Sequence, residues 1–117
     1  MGRLSTHVLD TAKGKPAAGV RIMLYRISGQ SHRKVKEVVT NADGRTDGPL
    51  LEGDGLEAGT YELVFCAGDY LRASGQAGED VLFLDEIPIR FGVPDASQHY
   101  HVPLLISPFS YSTYRGS

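Results

Sequence analysis

The chain has 117 residues, an apolar fraction of 41% and a net charge of −2 at neutral pH, which suits one domain over residues 1–117 with a real core and lacks the basic excess of a nucleic-acid binder. It has no apolar run long enough for a membrane-spanning helix, and its first six residues are too short and polar for a signal peptide. The lone Cys66 excludes an intrachain disulfide or a cysteine metal cluster, so the expected compartment is a reducing cytoplasm with neither membrane nor nucleic acid as partner.

Taken in order, the residues predict a succession of strands. Thr6, Val8 and Asp10 share one face of the first, and Ser5, His7 and Leu9 share the other. Lys13-Gly14-Lys15-Pro16 is a turn. Residues 20–27 form a β-branched, apolar strand, closed by Ser28-Gly29. A strand over 35–40 runs into the turn Asn41-Ala42-Asp43-Gly44, and Ala58-Gly59 opens another over 60–65. A short helix is predicted over 69–73, with Asp69 as its N-cap and Gly75 as its stop. Residues 75–80 form a loop. The strand 86–93 contains Pro88, which suits an edge or a strand start. Such spacing, punctuated by Gly, Pro, Asn and Asp, predicts an all-β sandwich or barrel.

The C-terminal segment carries more than core. Tyr100, Val102, Leu104 and Ile106 share one face, which is the natural core face. His99, His101, Pro103 and Leu105 share the other, where histidines mix with apolar residues. His7 beside Leu9 repeats that mixture near the N-terminus. A subunit partner covering the outer face explains both; scattered surface apolar residues are the competing explanation. The pattern continues through Tyr114-Arg115-Gly116-Ser117, and a strand is predicted to run to the last residue and to serve a site there.

The chemistry-bearing groups leave several readings open. His99 and His101 stand two apart on one strand face, a workable metal-ligand spacing that His7 would complete as a three-histidine zinc site. Surface exposure or a hydrogen-bond network accounts for the same pair. Ser5, Ser107, Ser110, Ser112 and Ser117 lie outside any Gly-x-Ser-x-Gly elbow. Cys66, in an apolar run, reads as core rather than as a nucleophile, and Asp43-Gly44-Arg45 as a turn with a solvated arginine.

Thr6-His7-Val8-Leu9-Asp10 with Gly14-Lys15-Pro16-Ala17 resembles the N-terminal signature of the transthyretin family. His99-Tyr100-His101-Val102-Pro103, Ser107-Pro108-Phe109-Ser110-Tyr111-Ser112 and Tyr114-Arg115-Gly116-Ser117 resemble its C-terminal signature, with the ending typical of its 5-hydroxyisourate hydrolase branch. The resemblance covers nearly the whole chain; the polar stretch 75–84 departs from it. It implies a transthyretin-like (prealbumin) β-sandwich of seven to eight strands with one short helix. It also implies a homotetramer, a dimer of dimers, with sites in a central channel. The implied reaction opens the ring of a small purine-derived substrate, 5-hydroxyisourate, without cofactor or metal. The implied catalytic residues are His7, Arg45, His101 and Ser117, and the substrate-binding ones His7, Arg45, Tyr114, Arg115, Gly116 and Ser117. A small-ligand carrier on the same fold and a zinc-dependent hydrolase are the alternatives. His99 is second to these positions, and His32, in a polar stretch, is expected to be solvated.

Overall fold

A computed structural model describes residues 1–116. Among them, nine strands form two sheets that pack face to face, with one α-helix at their side. The first sheet contains β1 (Arg3–Asp10), β2 (Lys15–Pro16), β5 (Leu51–Glu52), β8 (His99–Ser107) and β9 (Ser110–Thr113). Its order is β2-β1-β8-β9, with β5 also paired to β1. The second has the order β4-β3-β6-β7, from β3 (Arg21–Ser28), β4 (Ser31–Val39), β6 (Gly59–Cys66) and β7 (Glu86–Val93). Two of the nine, β2 and β5, are two-residue strands, which accounts for the excess over the seven or eight expected. Pro88 lies on β7, an edge strand, as a proline suggests.

The core forms where the inner faces meet. Leu4 and Val8 of β1 and Tyr100, Val102, Leu104 and Ile106 of β8 are buried there. Ile22, Leu24, Leu63 and Phe65 come from the opposing sheet. Each such side chain contributes about 1.5–3 kcal/mol by leaving water. Cys66 is a free, buried thiol in this layer.

The helix α1 (Ala67–Ala73) begins two residues before the predicted start, and Asp69 is not its N-cap. The N-cap is Cys66, whose side chain makes no capping bond. The Gly68 N–H donates to the Asp85 carbonyl instead, so a tertiary contact starts the helix. Gly75, at φ +78°, ends it in the left-handed conformation that glycine tolerates. The helix docks on β1 through Asp10, which is fully buried. Its carboxylate accepts hydrogen bonds from the Tyr70 hydroxyl at 2.6 Å, the Gln76 amide at 2.8 Å and the Lys13 N–H at 3.0 Å. Burial, and then Asp10 itself, push the Tyr70 hydroxyl up to about 12.

β1 and β8 run parallel and adjacent, with Ser5 opposite His101 and His7 opposite Pro103. Because side chains alternate along a strand, burying Leu4, Thr6, Val8 and Tyr100 projects Arg3, Ser5, His7, His99 and His101 from the outer face.

Candidate active site

The parallel register sets His101 beside Ser5 and one pair away from His7. The His7 Nδ1 and His101 Nε2 atoms are 2.6 Å apart, and the two rings are stacked with centroids 4.8 Å apart. The other nitrogen of His101, Nδ1, is 2.7 Å from Ser5 Oγ.

Arg45 reaches this group on a constrained turn. The Asn41 side-chain oxygen accepts the backbone N–H groups of Asp43 and Arg45, at 2.9 and 3.2 Å. Gly44 follows at φ +72°, and its carbonyl accepts the Val8 N–H at 2.8 Å. An added Cβ at Gly44 would lie 2.4 Å from the Val8 oxygen, so glycine alone permits this approach. Arg45 is thereby bridged to His7 across the turn. Arg3, Ser5, Arg45, His99, Tyr100 and His101 line an open pocket of about 260 Å³.

The surroundings favour neutral imidazoles. Burial lowers the His7 pKa below its ordinary value of 6.5, and the Arg45 charge lowers it further. Burial lowers that of His101 as well, followed by His7 and Arg45. The contact itself acts in the same direction: at 2.6 Å one nitrogen must donate and the other accept. Two imidazolium rings would set donor against donor. The pair therefore holds at most one extra proton, and its neutral form is favoured.

The tail meets the same histidine. β9 ends at Thr113, but the strand-like course continues as predicted, because Gly116 pairs with His101 in the same antiparallel register that β9 keeps with β8. Tyr114 and Arg115 interrupt the ladder between these pairs without a change of register. The Arg115 guanidinium lies 4.3 Å from the centre of the Tyr100 ring and donates to Gln98 Oε1 and the His99 carbonyl, each at 3.0 Å. Gly116 then donates its N–H to the His101 carbonyl at 2.7 Å. A Cβ on Gly116 would lie 2.8 Å from His101 Cδ2, so only glycine leaves the ring its room there. Tyr114 is exposed and borders a separate, more apolar pocket with Phe91 and Val102. Ser117 lies outside the described residues.

His7, Arg45, His101 and Gly116 are thus brought together, whereas Arg115 is engaged with Tyr100, Gln98 and His99. His99 is exposed and outside the histidine contact. His32 is exposed and 3.3 Å from Arg90. Among the described residues, no group of three His, Cys, Asp or Glu side chains could hold a metal ion. Ser5 was passed over in the sequence because it lacks a nucleophile motif. Its signal was the spacing to His7, two residues on along the same strand face.

A sandwich whose outer face carries coupled histidines beside a turn-held arginine defines a class of small β-protein with a polar site on its sheet. The chain belongs to the HIUase/Transthyretin family, whose model matches residues 4–116. It is 60% identical to 5-hydroxyisourate hydrolase 2 of Rhizobium meliloti (strain 1021), over 99% of this chain and 97% of that protein. Its structure resembles that of Klebsiella pneumoniae 5-hydroxyisourate hydrolase, with a TM-score of 0.82, 36% identity and 100% coverage of both chains. A crystallised (S)-allantoin synthase also matches, with a TM-score of 0.93 and 49% identity. There the match covers 99% of this chain and 44% of the longer one. Among the described residues, no helix is long and apolar enough to cross a membrane.

Proposed function

We propose that this protein hydrolyses 5-hydroxyisourate to 2-oxo-4-hydroxy-4-carboxy-5-ureidoimidazoline. Water adds to a ring carbonyl and the amide C–N bond of the six-membered ring breaks. The observation that carries the reading is the 2.6 Å contact between His7 and His101, a neutral, proton-sharing pair beside a guanidinium. Such a step needs a base for water and a cation for the developing oxyanion. His7 takes the water proton with His101 behind it. Arg45, always charged, orients the polar substrate and stabilises the oxyanion. The family resemblance adds Tyr114, Arg115, Gly116 and Ser117 as substrate-binding residues, and Gly116, paired with His101, supports that role for the tail. The family resemblance and the 60% identity to a hydrolase of this name support the substrate.

The working assembly in this reading is a homotetramer, with the outer faces of β1 and β8 lining its channel. The half-buried Leu9 and Leu105 beside the histidines are the support for a covered face. The lone buried thiol of Cys66 suits a cytoplasmic setting.

The test is to add the protein to freshly generated 5-hydroxyisourate and follow its ultraviolet decay, with spontaneous decay as the control. Acceleration proportional to protein concentration is expected; decay at the spontaneous rate overturns the assignment. Sedimentation at assay concentration addresses the assembly: four chains are expected, and a fully active monomer contradicts the channel.

A further inference from the structure

Ser5 has no role in the reaction as written above, yet it stands at the head of the histidine pair. Ser5 Oγ, the two ring nitrogens of His101 and His7 Nδ1 form one continuous line, with contacts of 2.7 and 2.6 Å. The line ends at His7 Nε2. A neutral imidazole has one N–H and one lone pair, so only two proton arrangements satisfy both contacts. In the first, Ser5 donates its O–H to His101 Nδ1, His101 Nε2–H donates to His7 Nδ1, and the proton of His7 sits on Nε2. That arrangement offers no base. In the second, His101 Nδ1–H donates to Ser5 Oγ, His7 Nδ1–H donates to His101 Nε2, and His7 Nε2 is left with a free lone pair.

We propose that Ser5 is a positioning residue whose oxygen accepts from His101 Nδ1–H, fixing both histidine tautomers so that His7 Nε2 is the base. This rests on the hydrolase reading above. When His7 takes a proton, both of its nitrogens become donors. The second arrangement already aims Nδ1–H at an acceptor, so proton uptake needs no reversal of the line. If that Nδ1 proton moves on to His101 Nε2, the resulting imidazolium still donates its Nδ1–H to Ser5. In the reaction the water proton passes to His7 Nε2 as the oxygen bonds to the carbonyl carbon. It returns to the ring nitrogen as the C–N bond breaks, and the relay ends as it began.

The first experiment is read without turnover. Long-range proton–nitrogen NMR spectra of the free, histidine-labelled protein separate the two tautomers. Protons on Nδ1 of both His7 and His101 are expected, with that preference lost in Ser5→Ala and kept in Ser5→Thr. A wild-type His101 protonated on Nε2 overturns the proposal. The second experiment is kinetic. Ser5→Ala should lower kcat about 3- to 10-fold, as loss of one neutral hydrogen bond does, with KM nearly unchanged. Losing an acceptor disfavours the charged pair, so the acid limb of the pH–rate profile should move to lower pH, and Ser5→Thr should restore both. Among the described residues, His7 and Arg3 on β1, His99 on β8, Arg45 on its turn and Arg115 on the tail are the other charged or titratable groups near His101, and both variants keep them. A Ser5→Ala variant with wild-type kcat and acid limb overturns the relay. Should that variant not fold, the wild-type spectrum decides. A wild type that never accelerates substrate decay sinks the hydrolase reading, while the spectrum still decides the role of Ser5.

Discussion

Gly44→Ala separates the placement of Arg45 from the rest of the site. At φ +72° an alanine is strained, at a cost of about 1 kcal/mol. Its Cβ would lie 2.4 Å from the Val8 oxygen, 3.0 Å from Pro16 Cβ and 3.2 Å from the Ala17 nitrogen. Two of these neighbours are backbone atoms, so no rotamer change relieves the contact and the turn must withdraw. Withdrawal breaks the 2.8 Å bond from the buried Val8 N–H to the Gly44 carbonyl, which costs about 1–3 kcal/mol. The sum is about 3 kcal/mol, or a fall in Tm of about 10 °C for a domain of this size. Arg45 moves with the turn, and a shift on the order of 1 Å at such a group lowers the rate about 100-fold. Thermal denaturation and ultraviolet decay of 5-hydroxyisourate, the latter well below the variant's Tm, measure the two effects. A variant that loses stability but keeps the wild-type rate refutes the role given to Arg45. An unchanged Tm refutes the close-contact account.

The same reasoning extends to three other places. Gly116→Ala should lower kcat by about tenfold or more at nearly constant Tm, since its Cβ would strike His101 at 2.8 Å and tilt the ring; an unaltered kcat would free the tail from the site. Asp10→Ala removes the common acceptor of Tyr70, Gln76 and Lys13 and should cost about 3 kcal/mol in urea titrations, against less than about 1 kcal/mol if the network contributes nothing. In the wild type, burial pushes the Asp10 carboxyl up, but hydrogen bonds from Tyr70, Lys13 and Gln76 outweigh it and hold the carboxyl below 3.8. That stabilisation is complete above the unfolded value and should fade as pH falls through the lower folded one; stability constant across that range would contradict it. Burial and then Arg45 lower His7, and burial, His7 and Arg45 lower His101, so the rate should stay level near neutrality and fall only below the ordinary imidazole value of 6.5. An acid limb above that value would mean that the imidazolium is favoured.

The fold was legible where burial is one-sided. β1, β6, β7 and β8 alternate or run apolar against a single core; all four are predicted as strands, and the faces of β1 and β8 are predicted as they stand. β4 was read too short because its first half, Ser31 to Lys34, is exposed on both faces of an edge strand and carries no alternation. The helix start escaped because Gly68 meets the Asp85 backbone, a contact between residues far apart in the chain. Asp69 looked like a cap but lies in the first turn. In the site, the outward phase of His7 and His101 followed from strand period alone. Their direct contact did not, because it depends on the parallel register of β1 with β8, which joins residues 94 apart. The same register hid Ser5. Arg45 is exposed, as its turn suggests, but its place beside His7 was hidden because nothing local shows that Gly44 docks on Val8.

The central claim is that His7 and His101 act as one proton-handling unit on water. The most direct measurement is kcat/KM for 5-hydroxyisourate in His7→Ala, His101→Ala and the double variant, each confirmed as folded and assembled. General acid–base groups contribute about 10²- to 10⁴-fold, and groups that act together lose that factor only once. Each single variant should therefore fall by about that much, and the double variant should be no slower than the worse single. Single variants within a fewfold of wild type, or losses that multiply in the double, would contradict the claim.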